Sequence, residues 1–506
     1  MNAILGGDSV AGVGFELKKL FTARTAAGHI KAYSYSAIIT AGPFALMTSM
    51  VLAVQSLFAY YGVEGESSQI FVASVVYAFV FSQILSAGFV MVLTRYLADS
   101  LSLGRFSDAT ASLFGMGAIL TTLGAMAAGA FFWDKPLPLL TKWLGYLFFA
   151  ELLLAWTESV YLSAVKRYSR LLISYFIGVL LSIFLVWCFL TFTNLHPEQS
   201  GLLAMDMGMG LINLLFLLHI TDYFGMPKMG QNFAFLPYFE RHWRLFLTAT
   251  FYMLGLFLPN LLIWQGEWGV LVGGTYLYSP IYDVVTFYAF LSILPLMTMF
   301  VVTVETNFYE RYARYFSFIT QKGNFREIDD ARKDLLHTLW FELRHIIEFQ
   351  LVFTLVALAV GNYLLSWSGI DYNQVNMYNV LLFGAFFTGL LQLVYILLVY
   401  FDYQKSVLSL SAVFFLSNLV FGLWGIFYGG TYSYGFTFFM AASLSFVWAF
   451  IKLNHFARRI NYLVFCSQPV FYRPTNGYLT KFTLWLYGDK YVNLETAGDE
   501  KNENEP

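Results

Sequence analysis

Twelve stretches of this chain, each about 20–28 residues long and nearly free of charge, alternate with short segments that hold most of its ionisable side chains. They run over 33–60, 70–94, 108–132, 140–164, 170–193, 201–222, 245–265, 278–304, 347–367, 377–401, 407–428 and 432–453. A helix rises 1.5 Å per residue, so a hydrocarbon layer about 30 Å thick is crossed by about 20 apolar residues. Each stretch therefore predicts a transmembrane helix. The expected fold is an all-α polytopic membrane protein of about 12 transmembrane helices in two six-helix bundles.

Composition supports that pattern. The chain has 506 residues, 58% hydrophobic and 12% charged, with a mean hydropathy of +0.62. Soluble domains are usually about 25% charged. A net charge of −2 gives no sign of nucleic-acid binding. Cys188 lies within a span and Cys466 beyond the last one, which argues against a disulfide framework or a cysteine metal site. No cleavable signal peptide is expected, because the N-terminal residues hold no compact apolar core before a cleavage site.

Charge then orients the spans. Twelve crossings return both termini to one side. Of 29 Lys and Arg, all but Lys135 and Lys142 fall on that side, which predicts cytoplasmic termini. The opposite loops carry Glu64, Glu66, Asp134, Glu198, Glu267 and Asp371. Residues 1–32 form a cytoplasmic segment in which Val13, Leu17, Leu20 and Phe21 share a face, the pattern of an interfacial helix. The insert 305–346 carries Leu335, Leu336, Leu339, Leu343, Ile346 and Ile347 at helical spacing, so an amphipathic helix is expected to run into the ninth span. Residues 456–506 form a C-terminal cytoplasmic segment with an acidic, disordered end.

The spans divide into an N-terminal bundle, 33–235, and a C-terminal bundle, 236–455. Each opening span holds a proline, Pro43 or Pro259, and Pro295 follows in the eighth span. These are the expected helix breaks, and interrupted helices at matching places in two repeats point to a site between them.

Ionisable groups inside spans are costly and mark a pathway by default. Glu151 and Glu158 lie two turns apart on the fourth span. Asp206, Gly210 and Asn213 form a polar stripe on the sixth, and Asp283 follows Tyr282 on the eighth. Glu151, Glu158, Asp206, Asp283, Tyr282 and Asn213 are the candidate pathway residues. Glu151 is the deepest, whereas Asp206 and Asp283 lie near the outer ends of their spans. Arg95, Asp99 and Glu305 are expected at the cytoplasmic mouth. The 34 tyrosines suit sugar binding as well as membrane interfaces.

Catalytic signals are weak. The seven histidines have no metal-ligand spacing, and no P-loop or GxSxG elbow occurs. His219 and Asp222, one turn apart, are the sole local pair to suspect. No cofactor, no metal and no enzymatic activity are expected, although a membrane acyltransferase or polymerase stays open.

The block Ala11-Gly12-Val13-Gly14-Phe15-Glu16-Leu17-Lys18-Lys19-Leu20, then Tyr33-Ser34-Tyr35 and Ala41-Gly42-Pro43, resembles the opening of the PelG-type exopolysaccharide transporters. Thr94-Arg95-Tyr96-Leu97-Ala98-Asp99, Glu305-Thr306-Asn307-Phe308-Tyr309, and Tyr282-Asp283 leading to Ile293-Leu294-Pro295 resemble further stretches of that family. That family is similar to the multidrug/oligosaccharidyl-lipid/polysaccharide exporter superfamily. The resemblance implies two bundles around a central cavity. It also implies export of Pel, a galactosamine- and N-acetylgalactosamine-rich polymer, across the bacterial cytoplasmic (inner) membrane. Implied partners are a cytoplasmic glycosyltransferase and membrane regulatory subunits, one sensing cyclic di-GMP. A cation-coupled flippase of lipid-linked oligosaccharide, or a multidrug exporter, is the alternative. The resemblance covers roughly residues 10–470 and gives the tail beyond it no role.

Overall fold

A computed structural model describes residues 26–63, 65–165, 167–227, 231–304, 308–320, 323–367, 371–466 and 477–488. The interfacial segment expected within residues 1–32, the acidic end of the chain and Glu305 lie outside the described residues. Twelve helices are long and apolar enough to cross a membrane, one for each predicted span.

Six of them form the N-terminal bundle: α1 (Ala26–Tyr60), α2 (Glu66–Ser102), α3 (Phe106–Phe132), α4 (Leu139–Ala164), α5 (Tyr168–Phe192) and α6 (Pro197–Phe224). A short α7 (Pro237–Arg241) ends the connection to the second bundle, which opens with α8 (Trp243–Trp264). A two-stranded hairpin follows, β1 (Val270–Val272) and β2 (Tyr276–Tyr278), paired antiparallel with Leu271 opposite Leu277. The eighth span is two helices, α9 (Pro280–Leu291) and α10 (Leu294–Thr303). After α11 (Tyr309–Thr320) come α12 (Phe325–Trp367), α13 (Tyr372–Tyr400), α14 (Gln404–Trp424) and α15 (Tyr434–Arg458). Two short helices, α16 (Ile460–Cys466) and α17 (Tyr478–Tyr487), close the described chain.

The packing repeats between the halves. In the first, α1 packs on α5, α2 on α4, α3 on α4, and α6 on both α4 and α5. In the second, α8 packs on α14, α9 on α13, α12 on α13, and α15 on both α13 and α14. These pairs correspond span for span. The halves meet where α2 crosses α8 and where α1 crosses α10, two contacts that exchange under the same correspondence. Each bundle has its own apolar core.

Small residues set the closest approaches. On α5, Ser174, Gly178 and Ser182 follow one another at one-turn intervals and are buried. A Cβ on Gly208 of α6 would lie on the Ser182 hydroxyl and 2.7 Å from the Gly178 carbonyl oxygen. Lipid offers no hydrophobic drive for helices to associate, so close van der Waals packing over such residues holds them together.

The proline expectation is corrected in part. Pro43 and Pro259 sit inside continuous helices, α1 and α8. Each removes one backbone donor, a loss that packed neighbouring helices tolerate inside a membrane. At Pro295 the chain does break: α9 stops at Leu291, and the proline occupies the first turn of α10, where its missing N–H is unneeded. The amphipathic insert is as expected. α12 is one 43-residue helix, about 65 Å long by its rise, so about half of it projects beyond the bilayer at the basic end.

Candidate functional site

Three of the predicted pathway residues meet at the packing surface of α4 and α6. Glu151 lies 12 residues into α4 and Asp206 nine into α6. At 1.5 Å per residue they lie about 18 and 14 Å from the starts of their helices at the acidic end. Asp206 is thus deeper than its span suggested, because α6 begins earlier, at Pro197. A Cβ on Gly210 would be 3.1 Å from Glu151 Oε1, so the glycine seats that carboxylate against α6. Asn213 Nδ2 donates to the Glu151 carbonyl oxygen at 3.0 Å.

The carboxylates themselves are poorly satisfied. Neither oxygen of Asp206, nor Glu151 Oε2, has a hydrogen-bond partner among the described residues. No Lys or Arg forms an ion pair with either of them among the described residues. Glu158, two turns on, is buried near Tyr175 of α5, with Oε2 also unpartnered. Two carboxyl groups on packed helices, with no ion-pair partner among the described residues, can bind a proton or a small cation. The set falls short of a dedicated metal site: no group of three His, Cys, Asp or Glu comes together among the described residues.

Glu151 and Asp206 lie on α4 and α6, which pack together within the N-terminal bundle. Helical periodicity says which residues share a face but not which neighbour the face meets. Here α2 packs both on α4 and on α8 of the second bundle, with Trp156 Nε1 of α4 donating to Ser82 Oγ of α2 at 3.0 Å.

Asp283 and Tyr282 do not join them. The Asp283 carboxylate accepts from Asn260 Nδ2 at 2.7 Å, from Trp264 Nε1 at 2.9 Å and from the Ser279 backbone N–H at 3.4 Å. It ties the first turn of α9 to α8. Tyr282 is fully buried in the C-terminal core. His219 and Asp222 are likewise occupied: Asp222 pairs with Arg170 at 2.9 Å and Arg167 at 3.3 Å, fastening α5 to α6.

Contacts bridge the halves at both ends of the inter-bundle surface. At the acidic end the Tyr77 hydroxyl of α2 donates to the Leu277 carbonyl at 2.7 Å and accepts from its N–H at 3.0 Å. The Tyr77 ring stacks on Trp264 of α8, centroids 5.1 Å apart. Ile70, Leu137, Val272 and Tyr276 pack around them in one cluster drawn from both halves. Sequence reading missed this seal. Its signal was Val270-Leu271-Val272-Gly273-Gly274-Thr275-Tyr276-Leu277-Tyr278, two β-prone runs about Gly-Gly.

At the basic end Arg95 pairs with Asp99 at 3.4 Å and reaches Asp402 of the second half at 3.9 Å. Asp402 has φ of 53°, a left-handed conformation that Asp tolerates better than most residues. A cleft of about 170 Å³ lies here, lined by Thr94, Arg95, Leu245, Asp402 and Gln404 among others. That is smaller than the usual site for a drug-sized ligand.

His242, between α7 and α8, is buried here, and neither ring nitrogen has a hydrogen bond among the described residues. Burial pushes its imidazole down to about 4, helped by Arg241 and Arg95 and opposed by Asp99 and Asp402. In the unfolded chain the group titrates near 6.5. Between those values the unfolded state binds a proton that the folded state does not, so this group's contribution to stability falls as pH drops from 6.5 to 4. In thermal unfolding, His242→Gln is expected to remove on the order of 2 kcal/mol of the acid-side loss. An unchanged acid slope would refute that assignment.

A family profile described as "PelG: Putative exopolysaccharide Exporter (EPS-E)" matches residues 10–465. No match is found among curated proteins. Among solved structures, the chain is similar to an outward-facing multidrug resistance MATE family transporter of the MOP superfamily, with a TM-score of 0.55 and 12% identity over 84% of this chain and 96% of the other. It is also similar to a MOP superfamily transporter from Pyrococcus furiosus, with a TM-score of 0.57, 12% identity and the same coverages. A MATE P26A mutant gives a TM-score of 0.55 and 14% identity, over 85% and 97% of the two chains. At such identities the likeness concerns the fold, two bundles of six helices.

Proposed function

The chain belongs to the PelG family, and we propose that it exports an exopolysaccharide across the bacterial cytoplasmic membrane by relative motion of its two bundles. What supports this reading above all is a family match that runs through both bundles, over residues 10–465. Family and fold point to a transporter rather than an enzyme. The basic end, with all but two of the 29 Lys and Arg, faces the cytoplasm in this reading.

The cargo is a polymer rich in galactosamine and N-acetylgalactosamine, delivered by a cytoplasmic glycosyltransferase under membrane regulatory subunits. Contacts at both ends of the inter-bundle surface, Tyr77 on Leu277 and Arg95 on Asp402, favour a cycle in which the ends open in turn. Glu151 and Asp206, whose carboxylate oxygens include three without a partner among the described residues, couple that cycle to a proton or small cation.

Deleting the gene tests the cargo. Secreted hexosamine polymer is expected to fall to background, with drug sensitivity unchanged. Polymer secretion at the parental level would sink the proposal, and raised drug sensitivity would favour the multidrug function of the structural neighbours.

A further inference from the structure

The family match ends at residue 465, and α17 lies beyond it. This helix is held at both ends by the connection between the bundles. The Glu240 carboxylate accepts from the backbone N–H groups of Leu479, at 2.5 Å, and Thr480, at 3.3 Å, and from Thr480 Oγ1 at 2.7 Å. A carboxylate there fills donors that a helix start leaves open and complements its dipole. Glycine precedes the helix because a Cβ at Gly477 would overlap that carboxylate. At the far end, the Tyr487 hydroxyl accepts from the Phe233 N–H at 2.9 Å. Between them Thr483 is fully buried, and Leu479 packs with the N-terminal core.

The other face of α17 is aromatic and, among the described residues, exposed. Tyr478 is 91% exposed, Phe482 45% and Trp485 78%. Spaced four and then three residues apart, they form one stripe along the helix. Leu486 extends it, and Lys481 flanks it, exposed. The height of this stripe is fixed by the fold. α17 lies on α7, which ends at Arg241, and the membrane span α8 begins at Trp243, itself exposed. The stripe therefore sits beside the start of α8, whose apolar residues follow at once. Tyr and Trp concentrate at the membrane–water interface, where the ring is buried and the polar edge stays wet. A short helix with aromatics on one side and a cation beside them suits the plane of a lipid interface.

We propose that α17 is an interfacial helix whose aromatic face enters the lipid headgroup region at the basic end, fastening the inter-bundle connection to the membrane surface. This rests on the proposed orientation only for naming the leaflet as cytoplasmic. Residues 233–240 then cannot move away from the membrane plane without drawing Trp485 and Phe482 out of lipid.

The test uses the full chain with Cys188 and Cys466 replaced by Ser. Single cysteines at Trp485, at Phe482 or at the exposed Asp334 of α12 carry an environment-sensitive fluorophore. The protein is reconstituted in vesicles of equal parts phosphatidylethanolamine and phosphatidylglycerol. Brominated acyl chains are expected to quench the 485 and 482 labels at least about twofold more than the 334 label, and aqueous iodide to do the reverse. Labels at 485 and 482 no more lipid-quenched than that at 334 would overturn the proposal and leave the face for a soluble partner. Because no polymer is measured, failure here is distinct from failure of the export function.

Discussion

Glu151→Gln is expected to cut polymer export at least about tenfold, equivalent to 1.36 kcal/mol or more on the limiting barrier, with the protein still at parental level in the membrane. Glutamine keeps the shape that rests against Gly210 and leaves the main-chain carbonyl bonded to Asn213 unchanged. What it removes is an acid midway along α4 with one oxygen unpartnered among the described residues. Asp206→Asn is expected to act similarly. The double variant should lose less than the sum of the two, since both acids act as one unit. Asp283→Asn supplies the contrast. Its carboxylate is fully used by Asn260, Trp264 and Ser279, so its loss costs about 1–3 kcal/mol of stability rather than the transport step. Export per folded molecule should then stay near parental. The measurement is secreted hexosamine normalised to membrane-inserted protein. Normal export by Glu151→Gln would remove the acid pair from the transport cycle.

Much of the architecture was legible because lipid imposes one dominant rule. Every backbone polar group must be satisfied within the segment, so length and apolarity alone place a helix. All twelve spans, and the single helix α12 running from the insert into the ninth span, follow from that rule. The repeat was legible only faintly. Pro43 and Pro259 suggested it, yet both helices run on through them, and the correspondence resides in which helices pack together. Glu151, Asp206 and Asn213 were recognisable because polar groups in spans are rare, but their place inside one bundle depended on tertiary packing. Asp283 looked the same in sequence. Its partners Asn260 and Trp264 sit on another helix, and only the fold reveals them. Asp402 and Tyr77 escaped for a related reason. Each works through a residue in the other half of the chain, Arg95 or Leu277, and neither has a local pattern. α17 was overlooked because ten residues are too few for a span and its docking depends on Glu240.

Locking the two bundles together at α2 and α8 should stop export reversibly. A Cβ on Gly88 would lie 2.5 Å from Thr250 Oγ1 and 2.7 Å from the Phe246 ring. Cysteines at 88 and 250 therefore come close to the Cβ separation of about 3.5–4.5 Å that a disulfide takes, after a small local shift. α2 and α8 belong to different halves, so this bond ties the bundles at their contact. In membrane vesicles of a chain without Cys188 and Cys466, oxidising Gly88→Cys/Thr250→Cys is expected to reduce export at least about tenfold. Reductant should restore it. A control pair lies within one bundle: Ser417 of α14 and Ser445 of α15, whose hydroxyl oxygens are 3.0 Å apart. Cross-linking Ser417→Cys/Ser445→Cys should leave export near parental, because each bundle moves as a unit with its own core. Full export through the cross-linked 88–250 pair would mean that the bundles do not part along α2 and α8. The polymer would then have to pass within one bundle, past Glu151 and Asp206, with the contact between halves a fixed seam.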